Sequence, residues 1–164
     1  IGASNFKAWR LAEAASISAQ RGYAAFSCVQ QRHTYLRPAA GASFDPQLAA
    51  NEDLLDYGRN RNLTILAYSV LLGGAYTRAE RAIPHQYAGP GADSQLAALR
   101  AVAQEVNGTP NQVILAWMLQ GNPMVLPLIA ASSAQQLQEN IEALDVQLSP
   151  EQMERLNSAG VPQE

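Results

Sequence analysis

The segment from Asn62 to Gly74, which reads NLTILAYSVLLGG, decides the fold of this chain. It begins as a short, uncharged apolar run with a β-branched centre, a pattern typical of a strand buried on both faces of a parallel sheet. Tyr68 and Ser69 end the apolar run, and glycines follow them. Polar, aromatic and glycine residues directly after a buried strand are typical of the carboxyl end of a parallel strand, where binding sites lie.

Other segments repeat this plan on both sides of that strand. Further uncharged runs predict strands over residues 1–4, 24–30 and 124–129. Helical patterns lie between them, at residues 7–21, from Asp45-Pro46 to about Arg59, around Leu96 to Val106, from Thr109 to Gln120, and after Ser133 and Ser149. Strands that alternate with helices predict a parallel α/β sheet with right-handed crossovers.

Local signals predict where several helices begin. Ser4 or Asn5 is a suitable cap for the first helix, and Asp45-Pro46 is a suitable cap and first turn for the second. Ser133 with Gln136 has the spacing of a capping box. The segment from Ser69 to Asp93 is longer than about 15 residues without a regular pattern, which favours a lid or substrate loop over a linker.

Composition excludes several classes of protein. The 164 residues predict one domain, and the net charge of -3 without a basic run argues against a nucleic-acid partner. No apolar stretch reaches the roughly 18 to 20 residues that span a bilayer. The start IGASNF has no charged leader, so we expect no signal peptide. The single cysteine, Cys28, fits a reducing compartment, and we expect a cytoplasmic location.

Several reactive residue types have simpler structural explanations. His33 and His85 are predicted to be polar loop residues, and Cys28 to be a core residue of its strand. Two distant histidines and one cysteine give no metal-ligand spacing. The acidic residues over 52–56 are explained best by a solvated helix face.

Short motifs recur in the order seen in one enzyme family. They are Gly2-Ala3-Ser4-Asn5-Phe6, the strand end at Gln30, Ala67-Tyr68-Ser69, and the run from Gln136 through Glu139-Asn140 to Ala143-Leu144. Over its whole length, residues 1–164, the chain resembles the C-terminal half of an aldo-keto reductase. The resemblance implies an α/β fold made of about four βα units of a TIM (β/α)8 barrel. A full barrel of eight units needs roughly 250 residues.

The resemblance also implies a binding site for a nicotinamide cofactor, NADP or NAD, and a small carbonyl substrate. Ser4, Asn5 and Gln30 match the residues that hold the nicotinamide carboxamide, which needs both a donor and an acceptor. Tyr68 matches the tyrosine that stacks on the nicotinamide ring.

The remaining matches belong to the other end of the cofactor. Ser69, Leu71 and Gly73 match the loop that approaches the pyrophosphate. Glu139 and Asn140 match the residues that hold the adenine end.

The chain departs from the family where the 2′-phosphate of NADP is bound. The family's cationic clamp falls at Ala130, Ala131, Ser132 and Gln136, which carry no charge. A phosphate without a cation loses its charge-assisted hydrogen bonds, so a weakened NADP preference is expected. Arg78 either replaces the clamp or, as loop arginines usually do, faces water.

A second departure concerns catalysis. The family's catalytic tyrosine, lysine, aspartate and histidine belong to the N-terminal half, which this sequence does not match. One hypothesis is a half-chain of an NAD(P)H-dependent reductase of aldehydes and ketones, inactive alone. The alternative is a non-catalytic cofactor-binding or regulatory subunit.

The same half-barrel hypothesis predicts how the chain associates. Two open sheet edges and an inner face of Val, Leu and Ile predict pairing with the missing half or self-association. The substrate and the oligomeric state remain open at this point.

Overall fold

The four predicted strands form one parallel sheet in the computed structural model, which describes residues 1–161. The strands are β1 (Gly2–Ser4), β2 (Cys28–Arg32), β3 (Thr64–Tyr68) and β4 (Val125–Pro127). The α-helices are α1 (Ala8–Arg21), α2 (Glu52–Arg61), α3 (Ala92–Glu105), α4 (Pro110–Gln120), α5 (Ala134–Glu142) and α6 (Pro150–Ser158). Short 3-10 helices lie at Leu72–Gly74, His85–Tyr87 and Ala143–Asp145.

The sheet has the order β1-β2-β3-β4, and every neighbouring pair is parallel. The prediction of parallel strands joined by helical crossovers is therefore confirmed. In register, Ser4 lies beside Gln30, Gln30 beside Leu66, and Leu66 beside Leu126. This shared level near the carboxyl ends of the strands brings distant parts of the chain to one edge of the sheet.

One face of the sheet packs against the helices. Val29, Ile65 and Ala67 have no exposed surface, because their side chains meet the helix layer. The helix α4 is apolar almost all round and contributes Ile114, which is also fully buried. Truncating such a residue to alanine typically costs about 2 to 5 kcal/mol of folding free energy.

The opposite, inner face of the sheet differs from the prediction. Alternation along the strands puts Ser4, Gln30, Thr64 and Leu66 on this face, where they are half-buried or exposed. The predicted continuous face of Val, Leu and Ile is therefore wrong. The inner face is largely polar, because it is the face that carries the candidate binding residues.

Two predicted helix starts are also wrong. Lys7, not Ser4 or Asn5, directly precedes α1, and its side chain makes no cap. Asn5 is not available as a cap because its Oδ1 accepts a hydrogen bond from the Leu48 amide. Asn51, not Asp45, caps α2 by accepting a hydrogen bond from the Leu54 amide. Residues 47–50 cannot be helical, because their backbone pairs with Arg32 at the end of β2.

The other caps follow the predicted pattern with one exception. Thr109 and Ser149 both form complete capping boxes. Ser133 caps α5 by accepting from the Gln136 amide, but the Gln136 side chain binds Ser132 instead of closing the box.

The long loop from Ser69 to Asp93 is anchored by tyrosines. The Tyr76 hydroxyl lies 2.7 Å from the hydroxyl of Thr34 and accepts a hydrogen bond from the Leu36 amide. Tyr87 is buried as well. Burial raises the pKa of both phenols. The role of the loop as a lid stays a prediction.

Apolar side chains are exposed on the two outer flanks. On α1, which accompanies the edge strand β1, Trp9 is 58% exposed and Ile17 is also exposed. Beyond the other edge strand, Leu137, Ile141 and Leu144 are exposed. None of the helices described is long and apolar enough to cross a membrane.

The two histidines and the cysteine lie in different environments. His33 is not a solvated loop residue: its ring stacks on Trp117 of α4 at 5.8 Å, and burial lowers its pKa to about 4. Cys28 lies in β2 and is half-buried, and His85 is exposed. Within residues 1–161, no three His, Cys, Asp or Glu side chains are placed to hold a metal ion.

Candidate functional site

The residues matched to the nicotinamide meet at the carboxyl ends of β1, β2 and β3. Asn5 leaves the sheet with a left-handed backbone (φ 56°), and its amide still donates to the Gln30 carbonyl. The Tyr68 hydroxyl donates to Asn5 Oδ1 across 2.8 Å, and Asn5 Nδ2 lies 3.4 Å from Ser4 Oγ. The structure thus brings Ser4, Asn5, Gln30 and Tyr68 into one cluster.

The loop before α2 completes this cluster. The Leu48 amide donates to Asn5 Oδ1 at 2.9 Å, so that oxygen accepts from two donors within the protein. One N–H group of the Asn5 side chain donates to Ser4 Oγ, and the other remains as its free hydrogen-bonding capacity. Within the described residues, the Gln30 side chain forms no hydrogen bond and keeps both its donor and its acceptor.

Arg32 lies beside Tyr68 in the register of β2 and β3 and was not predicted as a site residue. Its Nε and Nη2 donate to Gln47 Oε1 at 3.0 and 2.8 Å. Its guanidinium carbon is 5.0 Å from the Phe44 ring centre and 5.8 Å from the Tyr68 ring centre. The available signal was its position two residues after Gln30, which places it on the same face of the strand.

The other eight predicted residues line one groove of about 520 Å³ next to this cluster. They are Ser69, Leu71, Gly73, Ala130, Ser132, Gln136, Glu139 and Asn140. The groove begins at Ser69, the residue directly after Tyr68 of the cluster. This adjacency suits one elongated ligand that reaches from the strand ends into the groove.

The wall formed by residues 69–74 has an unusual backbone. Ser69, Leu72, Gly73 and Gly74 all have positive φ, and for a leucine this conformation costs roughly 1 to 2 kcal/mol. The segment is held by Val70, which is buried and whose carbonyl accepts the Thr34 hydroxyl at 2.5 Å. Backbone held in this way clusters at ligand sites.

The far end of the groove is made by α5. Glu139 Oε1 accepts from the Thr109 hydroxyl at 2.9 Å, which orients the carboxylate. Gln136 Oε1 accepts from the amide and the hydroxyl of Ser132, which leaves its Nε2 as a donor. Asn140 is buried.

Among the described residues that line the groove, Arg78 is the one cation. Its aliphatic stem lies over Gly74, where a Cβ atom would come within 3.2 Å of it. Ala130, Ser132 and Gln136 line the groove without charge, as the sequence indicates.

Asn111, in the first turn of α4, is a second residue that was not predicted from the sequence. Its Oδ1 is buried with no hydrogen-bond partner among residues 1–161, and the residue lines the groove. An orphaned buried acceptor loses about 1 to 3 kcal/mol, which a ligand hydroxyl or amine would recover. The groove therefore suits a ligand with hydrogen-bond donors, such as the sugar and base of a nucleotide.

Comparison with known proteins agrees with this arrangement. The family model described as Aldo/keto reductase family matches residues 1–160. An uncharacterized oxidoreductase of Mycobacterium tuberculosis is 35% identical over 122 residues, which cover 67% of this chain and 38% of that protein. An aldo-keto reductase of Emericella nidulans is 27% identical over 173 residues, covering 98% of this chain and 41% of its own length.

Solved structures show the same fold. A crystal structure of a thermostable aldo-keto reductase with the inhibitor epalrestat has a TM-score of 0.66 at 25% identity, covering 96% of this chain and 47% of that chain. A putative 2,5-diketo-D-gluconic acid reductase B, at 21% identity and a TM-score of 0.67, shows likeness of fold alone.

These structures confirm that the α/β units of this chain correspond to part of an aldo-keto reductase TIM barrel. The chain spans less than half the length of the relatives described above. Since the family model matches almost every residue, the chain belongs to the aldo/keto reductase family.

Proposed function

We propose that this chain is the cofactor-binding half of an NAD(P)H-dependent oxidoreductase that reduces aldehydes and ketones to alcohols. The observation that carries the proposal is that the groove begins at Ser69, directly after Tyr68, which is hydrogen-bonded to Asn5 in the cluster at the strand ends. Residues from three strand ends and α5 contribute to one elongated site, as a dinucleotide requires.

The hydrogen bonds already made within the protein indicate which part of the cofactor each end of the site would bind. Asn5 offers only donors, since its Oδ1 is occupied by Tyr68 and Leu48. It suits the oxygen of the nicotinamide carboxamide, while Gln30 can accept from the carboxamide NH2. The Tyr68 ring would lie against one face of the nicotinamide, which supplies a hydride when bound.

Binding at the other end is proposed for the groove residues. Asn111 Oδ1 is available to a ribose hydroxyl, and Gln136 Nε2 and Asn140 to the adenine. Arg78 is the available partner for a phosphate. With a single exposed cation there, we propose that the protein accepts NADH as well as NADPH.

The reaction also needs a proton donor for the alkoxide that hydride transfer creates. We propose that this donor, with its supporting residues, is supplied by an N-terminal half of the barrel. The exposed apolar side chains on both flanks support this, because four further βα units would cover α1 and α5. A cytoplasmic location is proposed from the free thiol of Cys28.

Two titrations test the proposal. NADPH and NADH are titrated into the intact protein and into the 164-residue chain, and the quenching of tryptophan fluorescence is followed. Reductase activity is then measured with a panel of aldehydes. Absence of binding in both proteins contradicts the cofactor site. Binding without turnover in the intact protein favours the alternative of a non-catalytic, cofactor-binding subunit.

A further inference from the structure

We propose that Arg32 makes this site favour the reduced form of the nicotinamide cofactor over the oxidised form. The inference rests on the proposed function, because it requires that a nicotinamide stacks on Tyr68. It adds a residue that biases the direction of the reaction toward carbonyl reduction.

The backbone determines where Arg32 lies. Arg32 and Tyr68 are register partners on adjacent parallel strands, so their side chains leave the sheet on the same face. Gln30, two residues earlier, projects from that face as well. Arg32 is therefore part of the same surface as the residues that would hold the nicotinamide.

Contacts hold the guanidinium in one place. Two of its nitrogens donate to Gln47 Oε1, and the group lies against the rings of Phe44 and Tyr68. Residues 47–50 are in turn fixed to β2, because the Arg32 amide donates to the Leu48 carbonyl and the Ala50 amide donates to the Arg32 carbonyl. The charge is thus ordered by both its side chain and its backbone.

Within residues 1–161, no carboxylate pairs with that charge. Among the described residues the ion pairs are Arg59 with Asp56 and Arg155 with Glu105, and neither involves Arg32. The groups around the guanidinium are the neutral side chains of Gln47, Phe44, Tyr68 and Tyr87.

A partly buried, unpaired cation acts on a charged ligand nearby. The oxidised nicotinamide ring carries a positive charge, whereas the reduced ring is neutral. Tyr68 already interacts with one cation through its π system, so a second cation on the same ring is repelled by the first. The neutral reduced ring is not repelled. The ratio of the dissociation constants of the oxidised and the reduced cofactor therefore measures this repulsion.

The experiment measures that ratio in the intact protein. Dissociation constants for NADPH and NADP+ are compared by titration, with reduced and oxidised nicotinamide mononucleotide as probes that lack the adenosine end. Because NADPH and NADP+ share the same adenosine end, its contribution cancels. Gln47→Glu places a carboxylate on the guanidinium without changing side-chain size, and Arg32→Gln removes the charge. Both should strengthen binding of the oxidised form relative to the reduced form, by about threefold to thirtyfold.

Arg32→Lys is the matched control, since it keeps the charge and should keep the ratio within about twofold of the wild type. A purely structural role for Arg32 would weaken both forms equally and leave the ratio unchanged. An unchanged ratio in Gln47→Glu and Arg32→Gln, with both cofactor forms still bound, would overturn this inference and leave the proposed function intact. If the wild-type protein binds neither form, the proposed function fails first. Thermal melts identify any variant that does not fold, and Gln47→Glu then decides the question alone.

Discussion

The hydroxyl of Tyr68 donates a hydrogen bond to Oδ1 of Asn5, across 2.8 Å, and so couples an aromatic ring on β3 to an amide that follows β1. These residues are 63 positions apart in the chain. The bond fixes the Tyr68 ring and the Asn5 side-chain amide relative to each other.

This coupling predicts different results for two substitutions of Tyr68. Tyr68→Ala removes ring and hydroxyl and should weaken cofactor binding by about 1 to 3 kcal/mol, as for loss of aromatic stacking on a base. Tyr68→Phe keeps the ring and should weaken it by only about 0.5 to 1.5 kcal/mol. Fluorescence titration measures both, with exposed Tyr23→Ala as the control. Equal affinity in wild type and Tyr68→Ala would remove Tyr68 from the site.

Arg78 predicts the cofactor preference. As the one cation that the described part of the chain contributes to the groove lining, it should account for whatever preference for NADPH the protein shows. Arg78→Gln should weaken NADPH binding by about 1 to 2 kcal/mol, the value of a charge-assisted hydrogen bond, and leave NADH unchanged. Arg81→Gln, in the same loop but outside the groove, is the control. A strong NADPH preference that survives Arg78→Gln would place the phosphate elsewhere.

His33 predicts a pH dependence of stability. Burial lowers its pKa from 6.5 to about 4, so the unfolded chain binds the proton first as pH falls. Its contribution to the free energy of unfolding is complete above pH 6.5, declines between 6.5 and 4, and is absent below 4. The loss should be about 1 to 3 kcal/mol, since the ring is partly exposed.

Urea unfolding of the wild type and His33→Phe at several pH values measures this loss. Phenylalanine keeps an aromatic ring against Trp117 without the titrating nitrogens. The wild type should lose stability relative to His33→Phe as pH falls from 7 to 4, whereas exposed His85→Gln should follow the wild type. A constant difference would show that His33 titrates normally.

The close approach of two glycines predicts a local effect on stability. A Cβ atom at Gly91 would lie 2.5 Å from the carbonyl oxygen of Gly160. Gly91→Ala should therefore separate the start of α3 from the end of α6 and destabilise the protein by about 1 to 3 kcal/mol. Gly89→Ala is the matched control, because its methyl would meet only Ala39 at 3.7 Å. Equal melting temperatures for the two variants would contradict the predicted clash.

The exposed flanks predict association of the 164-residue chain. Leu144 is 63% exposed and Trp9 58%, and both accompany edge elements of the sheet. Light scattering should find the isolated chain paired with itself or with an added N-terminal half, and Trp9→Glu with Leu144→Glu should weaken the pairing. The isolated chain should reduce no aldehyde. A stable, cooperatively melting monomer would contradict this prediction.

The strands and most helix ends could be predicted because their signals are local. Thr109 and Ser149 cap their helices through residues three positions away, and Gly22 ends α1 with φ 67°. Asp45-Pro46 predicted a helix start that does not form, because a long-range contact competes with the helix. The backbone of residues 47–50 pairs with Arg32 instead.

The same distinction between local and long-range information applies to the site. Eight groove residues were predicted by resemblance to family motifs, and they do line one groove. Arg32 and Asn111 were missed, because their significance depends on parts of the chain distant in sequence. Arg32 matters through its contact with Tyr68. Asn111 matters because the fold buries its Oδ1 in the groove wall with no partner among the described residues. The polar inner face, by contrast, follows from alternation along each strand, which puts Ser4, Gln30 and Thr64 on that side.

The pairing of residues 47–50 with Arg32 has a consequence for protein engineering. The loop between β2 and α2 has two parts: a distal part, residues 33–46, and a short anchor, residues 47–50. The anchor pairs with β2 directly beyond the point where β1 ends, because the chain turns away from the sheet at Asn5. Insertions or grafted sequences for altered substrate choice belong in residues 37–43. Changes in the anchor would displace Leu48 and Gln47 together, and with them the contacts of Asn5 and Arg32.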